Sequence, residues 1–234
     1  MFFYKVLFPS RSGDLHQLFG CLIVSRARMN RIDIDRLQSW ERFTRANFVN
    51  SLSGFRPVSL IGTKHPSGVE NLAVFSNIVH LGADPALIGF INRPKAAAPH
   101  TIQNIESTGH YTINHIHTSF VEQAHQTSAK YPDTQSEFSA VGLEPEYLDG
   151  FPAPFVATSP IKYALALEEI LPIRVNGTFL VIGRLVAAYV PDACIGSDGF
   201  IDLTKAGSIC SNGLDAYYES HLLTRLPYAK VPSS

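Results

Sequence analysis

The chain has 234 residues, of which 45% are hydrophobic and only 17% charged, against about 25% charged in an average soluble domain. Nineteen Lys and Arg balance twenty Asp and Glu for a net charge of -1, so no global field draws the chain to nucleic acid or to an anionic membrane. The three cysteines, Cys21, Cys194 and Cys210, form no CxxC pair and leave an odd count, which argues against a disulfide framework or a thiolate zinc site. The apolar runs Met1 to Phe8 and Leu18 to Val24 are too short to span a bilayer and lack the order of a signal peptide. A soluble, cytoplasmic protein that binds neither nucleic acid nor membrane is expected.

Arginine is dense at the start (Arg11, Arg26, Arg28, Arg31, Arg36, Arg42, Arg45), and from Ile32 to Phe48 the positions Ile34, Leu37, Trp40 and Phe43 recur at helical spacing. This predicts one amphipathic helix in an N-terminal arm, residues 1–45, ahead of a main body of residues 46–234. After Pro57 the text changes to short β-rich runs between turn residues. Val58 to Thr63 and Glu70 to Ser76 read as a hairpin about His65-Pro66-Ser67-Gly68. Leu87 to Ile91 reads as a buried strand, and His100 to Ser107 as a helix with Thr101 as N-cap and Gly109 past its end. Tyr111 to Ile116 is the next strand, followed by a polar helix from Ser119 to about Ser128. The Pro-rich, aromatic text from Tyr131 to Pro160 is a long excursion. Ile161 to Ile170 and Phe179 to Val190 are closing strands about Asn176-Gly177, and a small helix is expected around Asp215 to Leu223. Six or seven strands, few helices and no βαβ alternation favour an antiparallel barrel over a doubly wound sheet.

Several common chemistries lack their signatures. GxGxxG, GxxxxGK[ST], HExxH and GxSxG are all absent, and in the SxxK match Ser159-Pro160-Ile161-Lys162 the proline suits a helix start poorly. His115 and His117 share one side of a strand, but no carboxylate stands at a ligand spacing. No metal site and no catalytic acid or base is expected. The informative stretch is Phe55 to Asn114. A buried strand empties into Arg93 and Lys95, and His100 and Thr101 open a helix whose free amides, with those cations, can converge on a phosphate. Asn71, Ser76 and Asn92 can hydrogen-bond a polar heterocycle or polyol, and Ala73 leaves room for a flat ring.

This series of motifs resembles the flavin reductase-like FMN-binding split-barrel family, in its flavoredoxin-type branch. The resemblance rests on Phe55-Arg56-Pro57-Val58-Ser59-Leu60-Ile61-Gly62-Thr63, on Asn71-Leu72-Ala73-Val74-Phe75-Ser76 after a turn ending in Gly68, and on Asp84-Pro85 before a buried strand. It continues through Arg93-Pro94, His100-Thr101-Ile102-Gln103-Asn104-Ile105 and Tyr111-Thr112-Ile113-Asn114, and covers about residues 46 to 220. It implies a mainly β fold, a six-stranded antiparallel split β-barrel that binds FMN near the interface of a homodimer. Matched by position, it implies that Arg56, Asn71, Ala73, Phe75, Ser76 and Asn77 line the isoalloxazine and ribityl chain. Asn92, Arg93, His100 and Thr101 would approach the ribityl and phosphate end.

The activity so implied is transfer of a hydride or electrons between a nicotinamide donor, NADH or NADPH, and flavin, with the protein supplying position and electrostatics. Arg56 is the candidate for the charge that stabilises the reduced ring. The chain departs from the family pattern at Val74, Asn77 and Ala86, and Asn176-Gly177-Thr178 stands where many flavin reductases carry Gly-Asp-His. Cys210 to Tyr217 lacks the arginine common there. The alternative is therefore an FMN-binding electron carrier or binding module without its own nicotinamide specificity.

Overall fold

Leu60 and Ile61 are adjacent on one strand and both fully buried, because successive strand side chains point to opposite faces and here both faces are covered. Leu60 packs with Val58, Leu72, Ile116 and Phe138 on one side, while Ile61 packs with Phe90, Ile113, Leu165 and Val181 on the other. The computed structural model describes residues 29–231. The expectations about Met1 to Phe8, Leu18 to Val24, Cys21 and the first arginines lie outside the described residues.

The chain divides into two units between Trp40 and Glu41. In the first, α1 is Ile34–Gln38, started by the Asp33 carboxylate, which accepts from the Arg36 amide at 3.1 Å. In the second, α2 is Arg42–Leu52, started by the Glu41 carboxylate, which accepts from the Phe43 and Thr44 amides. The single helix expected from Ile32 to Phe48 is thus two. The carboxylate that satisfies the orphan amides of a new helix start also ends the continuity of the old one.

The second unit continues with β1 (Arg56–Pro57), β2 (Ser59–Lys64), β3 (Glu70–Phe75), β4 (Ile78–Ala83) and β5 (Ala86–Asn92). Then come α3 (His100–Thr108), β6 (His110–His115), α4 (Val121–Gln126) and α5 (Glu137–Val141). The short pair β7 (Pro145–Glu146) and β8 (Phe155–Val156) precedes the long hairpin of β9 (Lys162–Ile173) and β10 (Thr178–Tyr189), and β11 (Ile209–Asn212) and β12 (Ala216–Glu219) close the order. Seven strands form one sheet in the order β3-β2-β6-β9-β10-β5-β4, every neighbouring pair antiparallel. Four strands separate β3 from β5 in that order, yet the Phe75 and Phe90 rings meet edge to face at 4.9 Å. The sheet therefore curls around an aromatic and aliphatic interior, helped by register shifts in β10 between Ile182 and Gly183 and between Leu185 and Ala187. Its outer strands β3 and β4 are not paired with each other, so the barrel is split.

The sheet has seven strands where six were implied. The additional β4 follows directly on the Ser76-Asn77 turn, and Ile78-Val79-His80-Leu81 lacks the alternation of apolar and polar residues that marks a half-buried strand. A second correction concerns Asp215 to Leu223, where β12 replaces the expected helix. Gly213 has φ of 68° and turns the chain, so that Asn212 opposes Ala216 and Ser211 opposes Tyr217, while β11 pairs with β1. Two tyrosines in succession suit a strand better than a short isolated helix.

A partly buried histidine makes the fold sensitive to acid. His115 packs against the Tyr163 ring and contacts the Ser208 hydroxyl through Nδ1 at 3.0 Å, and burial lowers its pKa from 6.5 to about 4. The unfolded chain takes the proton near 6.5 and the folded one only near 4, so protons pull toward the unfolded state in between. Stability should be level above that window and fall by up to about 3 kcal/mol across it. Urea unfolding at stepped pH checks this, and His115→Gln should flatten the slope.

Candidate functional site

β3 carries the expected residues on one face. Asn71, Ala73 and Phe75 alternate with Leu72 and Val74, which pack into the cluster of Leu60 and Phe138. As an outer strand, β3 has an unpaired side, and α5 meets it there: the buried Glu137 carboxylate accepts from the Leu72 amide at 3.0 Å. Burial raises the Glu137 pKa, while that amide and the charge of His100 hold it down.

Asn71 is a buried hub. Its Nδ2 donates to Thr63 Oγ1 and to Thr101 Oγ1, each at 3.2 Å, and Asn104 Nδ2 donates to the same Thr63 hydroxyl at 3.1 Å. These bonds join β2 and β3 to α3. Thr101 is the second residue of α3, buried, and not its N-cap as expected; Pro99 holds that place and supplies no side-chain cap. The amides that open α3 are therefore left without a capping side chain. The helix ends as expected at Gly109, in the left-handed conformation.

Asn92 is fully buried at the end of β5 and donates to the carbonyls of Arg93 at 2.7 Å and Ala98 at 3.2 Å, which ties the intervening turn to the start of α3. Its Oδ1 has no partner. Arg93 is exposed and forms no ion pair among the described residues. Lys95 is committed elsewhere, to Glu106 at 2.5 Å and to the Phe179 ring, so of the two cations only Arg93 is open to a ligand. Asn77 is also used internally, since its amide brackets the backbone of Ile91 with bonds of 3.0 and 3.1 Å.

Arg56 stands apart from the Asn71 hub. It pairs with Ser211 across β1 and β11, its guanidinium donates to the Gly213 carbonyl, and its buried Nε has no partner. The structure thus gathers Asn71, His100 and Thr101 at one end of β3, places Phe75, Ser76 and Asn77 at the other, and sets Arg56 against the C-terminal hairpin. Asn71 and His100 line a cavity of about 250 Å³ together with His65, Gln103, Asn104 and Glu137. Thr63 and Glu137 were not expected here: Thr63 looks like any alternating strand residue, and Glu137 lies in the excursion, where no periodicity marks it.

Other sequence candidates take structural roles. Ser159 donates to the carbonyls of His115 and Ile161, and Lys162 pairs with Glu146 at 2.5 Å and donates to two carbonyls. Among the described residues, no cluster of three or more His, Cys, Asp or Glu is placed to hold a metal ion. No described helix is long and apolar enough to cross a membrane.

One curled antiparallel sheet whose outer strands stay unpaired with each other defines the class of the fold, a split barrel. Residues 54–198 match the family model of the flavin reductase like domain, and the chain belongs to that family. It is similar to the crystal structure of a split-barrel protein assigned as a flavin reductase from Shewanella frigidimarina, at 48% identity and a TM-score of 0.83, covering 86% of this chain and 100% of that one. The flavoredoxin of Desulfovibrio vulgaris shares the fold at 21% identity and a TM-score of 0.65, over 75% of this chain and 92% of that one. An uncharacterised protein of Halalkalibacterium halodurans is 29% identical over 73% of this chain and 85% of its own length.

Proposed function

We propose that the chain is an FMN-binding oxidoreductase that passes a hydride or electrons between a nicotinamide donor and flavin. The observation that carries this reading is the uncapped start of α3, which bears the Asn71, Thr63, Thr101 and Asn104 hub and which Asn92 ties to the backbone of the exposed Arg93. An uncapped helix start with a free cation suits a phosphate, and the polar side chains of Asn71, His100, Gln103 and Asn104 that line the adjoining cavity suit a polyol. The orphaned Asn92 Oδ1 and Arg56 Nε, both expected cofactor residues, are polar atoms for which a ligand is a natural partner. From Asn71 to Ser76, just past the end of β3, the chain spans about 17 Å at a strand's rise per residue, comparable to an extended flavin mononucleotide.

Bound flavin would supply the redox chemistry, accepting and releasing electrons at its ring system. The chain's own residues would hold it. Arg93 and the α3 amides neutralise the phosphate, Asn71 and Thr101 fix the polyol chain, and Ala73 and Phe75 bound the ring without a side chain that must donate or accept a proton. Replacing Arg93 by Ala should weaken FMN binding about tenfold, the worth of one charge-assisted hydrogen bond. Fluorescence titration reads this, and unchanged affinity removes Arg93 from the phosphate site.

The carrier reading has its own observation. Asn176 Oδ1 accepts from the Thr178 amide at 3.1 Å and hydroxyl at 2.7 Å, so this turn spends its polar groups on itself. Stopped-flow mixing with excess NADH or NADPH decides between the two: reduction of bound flavin supports the enzyme, and flavin that stays oxidised supports the carrier. A homodimer completes the proposal. α2 buries none of its residues in its own chain and exposes Phe43 and Leu52, as the tail exposes Leu223, Leu226 and Tyr228, and apolar surface of this kind suits a second copy.

A further inference from the structure

A second cavity, of about 490 Å³, opens between the turn joining β2 to β3 and the loop at 147–153, a size ordinary for a small-molecule site. None of the ten expected cofactor residues lines it, and no carboxylate does. Its walls include the rings of Tyr147 and Phe151 and the prolines Pro66 and Pro152. Lys64 places its Nζ 4.8 Å from the Tyr147 ring centroid. The nearby Glu70 is engaged as the acceptor of the Tyr147 hydroxyl at 2.8 Å. His65 Nδ1 accepts the Ser67 amide at 3.1 Å, so in the neutral ring the proton sits on Nε2 and leaves a donor. The loop wall is fixed: Asp149 and Gly150 are consecutive residues with φ of 48° and 73°, and Asp149 accepts the Tyr189 hydroxyl at 2.7 Å.

We propose that this cavity binds a planar aromatic carboxylate. Aromatic and proline surfaces favour a flat ring, the absence of lining acids favours an anion, and the two donors Lys64 Nζ and His65 Nε2 match in number the two oxygens of a carboxylate. The site shares none of the expected flavin residues, and His65 is its one residue in common with the first cavity.

The test titrates the whole protein with benzoate, benzamide and cyclohexanecarboxylate, following the NMR signals of His110 and Tyr147. Saturable shifts with benzoate are expected, with benzamide and cyclohexanecarboxylate each about tenfold weaker, and Lys64→Met should weaken benzoate about tenfold while FMN affinity stays unchanged. The absence of saturable shifts, equal affinity for benzoate and benzamide, or equal benzoate affinity in Lys64→Met would each overturn the proposal. The ligand comparison on the unaltered protein keeps it testable if the variant does not fold.

Discussion

Gly62→Ala is expected to destabilise the protein by about 3 kcal/mol or more. Gly62 lies at the centre of β2, opposite Leu72 on one neighbour and Thr112 on the other. A Cβ there would drive into the backbone carbonyl of Pro154 and stand 2.6 Å from Thr112 Oγ1. Neither can move cheaply, because the Thr112 hydroxyl donates to that same carbonyl at 2.6 Å. The chain from 152 to 156 would have to lift off the sheet, exposing the fully buried Phe155 and Val156. Gly68 makes the contrast: its φ is 100° but nothing lies within 4 Å of its added Cβ, so Gly68→Ala should cost only the backbone strain, about 1 to 2 kcal/mol. Urea unfolding of both variants checks the difference, and a Gly62→Ala loss under about 1 kcal/mol would show that the excursion is not fixed to β2.

Asn71→Leu should weaken FMN binding by about 10- to 100-fold, the loss of one or two hydrogen bonds at a buried polar hub. The side chain holds Thr63 and Thr101 at once, so its removal also frees α3 from β3 and leaves two buried hydroxyls with fewer partners. A stability loss of about 1 to 3 kcal/mol should accompany the weaker binding. Thr101→Val separates the effects, because it keeps shape and removes one partner only. Asn71→Leu with native FMN affinity would place the flavin elsewhere.

Much of the barrel was legible because its strands are either alternating or continuously apolar between Gly, Pro and Asn turns. Ser59 to Lys64, Glu70 to Phe75 and the β9 and β10 hairpin about Asn176-Gly177 are of this kind. What the sequence obscured has a physical cause in each case. β4 is half exposed and follows a two-residue turn, β12 has four residues that gain their stability from β11, and Glu41 interrupts a helical period that continues through it. In the site, the motif spacing pointed to Asn71 and Thr101, but their partner Thr63 and the Glu137 clamp on β3 are visible only once the chain is folded. Arg56 shows the reverse: its motif is clear, yet the structure ties its guanidinium to the Gly213 carbonyl.

Retention of flavin tests the central claim most directly. The purified 234-residue protein is incubated with excess FMN, passed through gel filtration and examined for visible flavin absorption. One FMN retained per chain, with retention reduced in Arg93→Ala and Asn71→Leu, is the expected result. A colourless protein after that treatment would contradict the account.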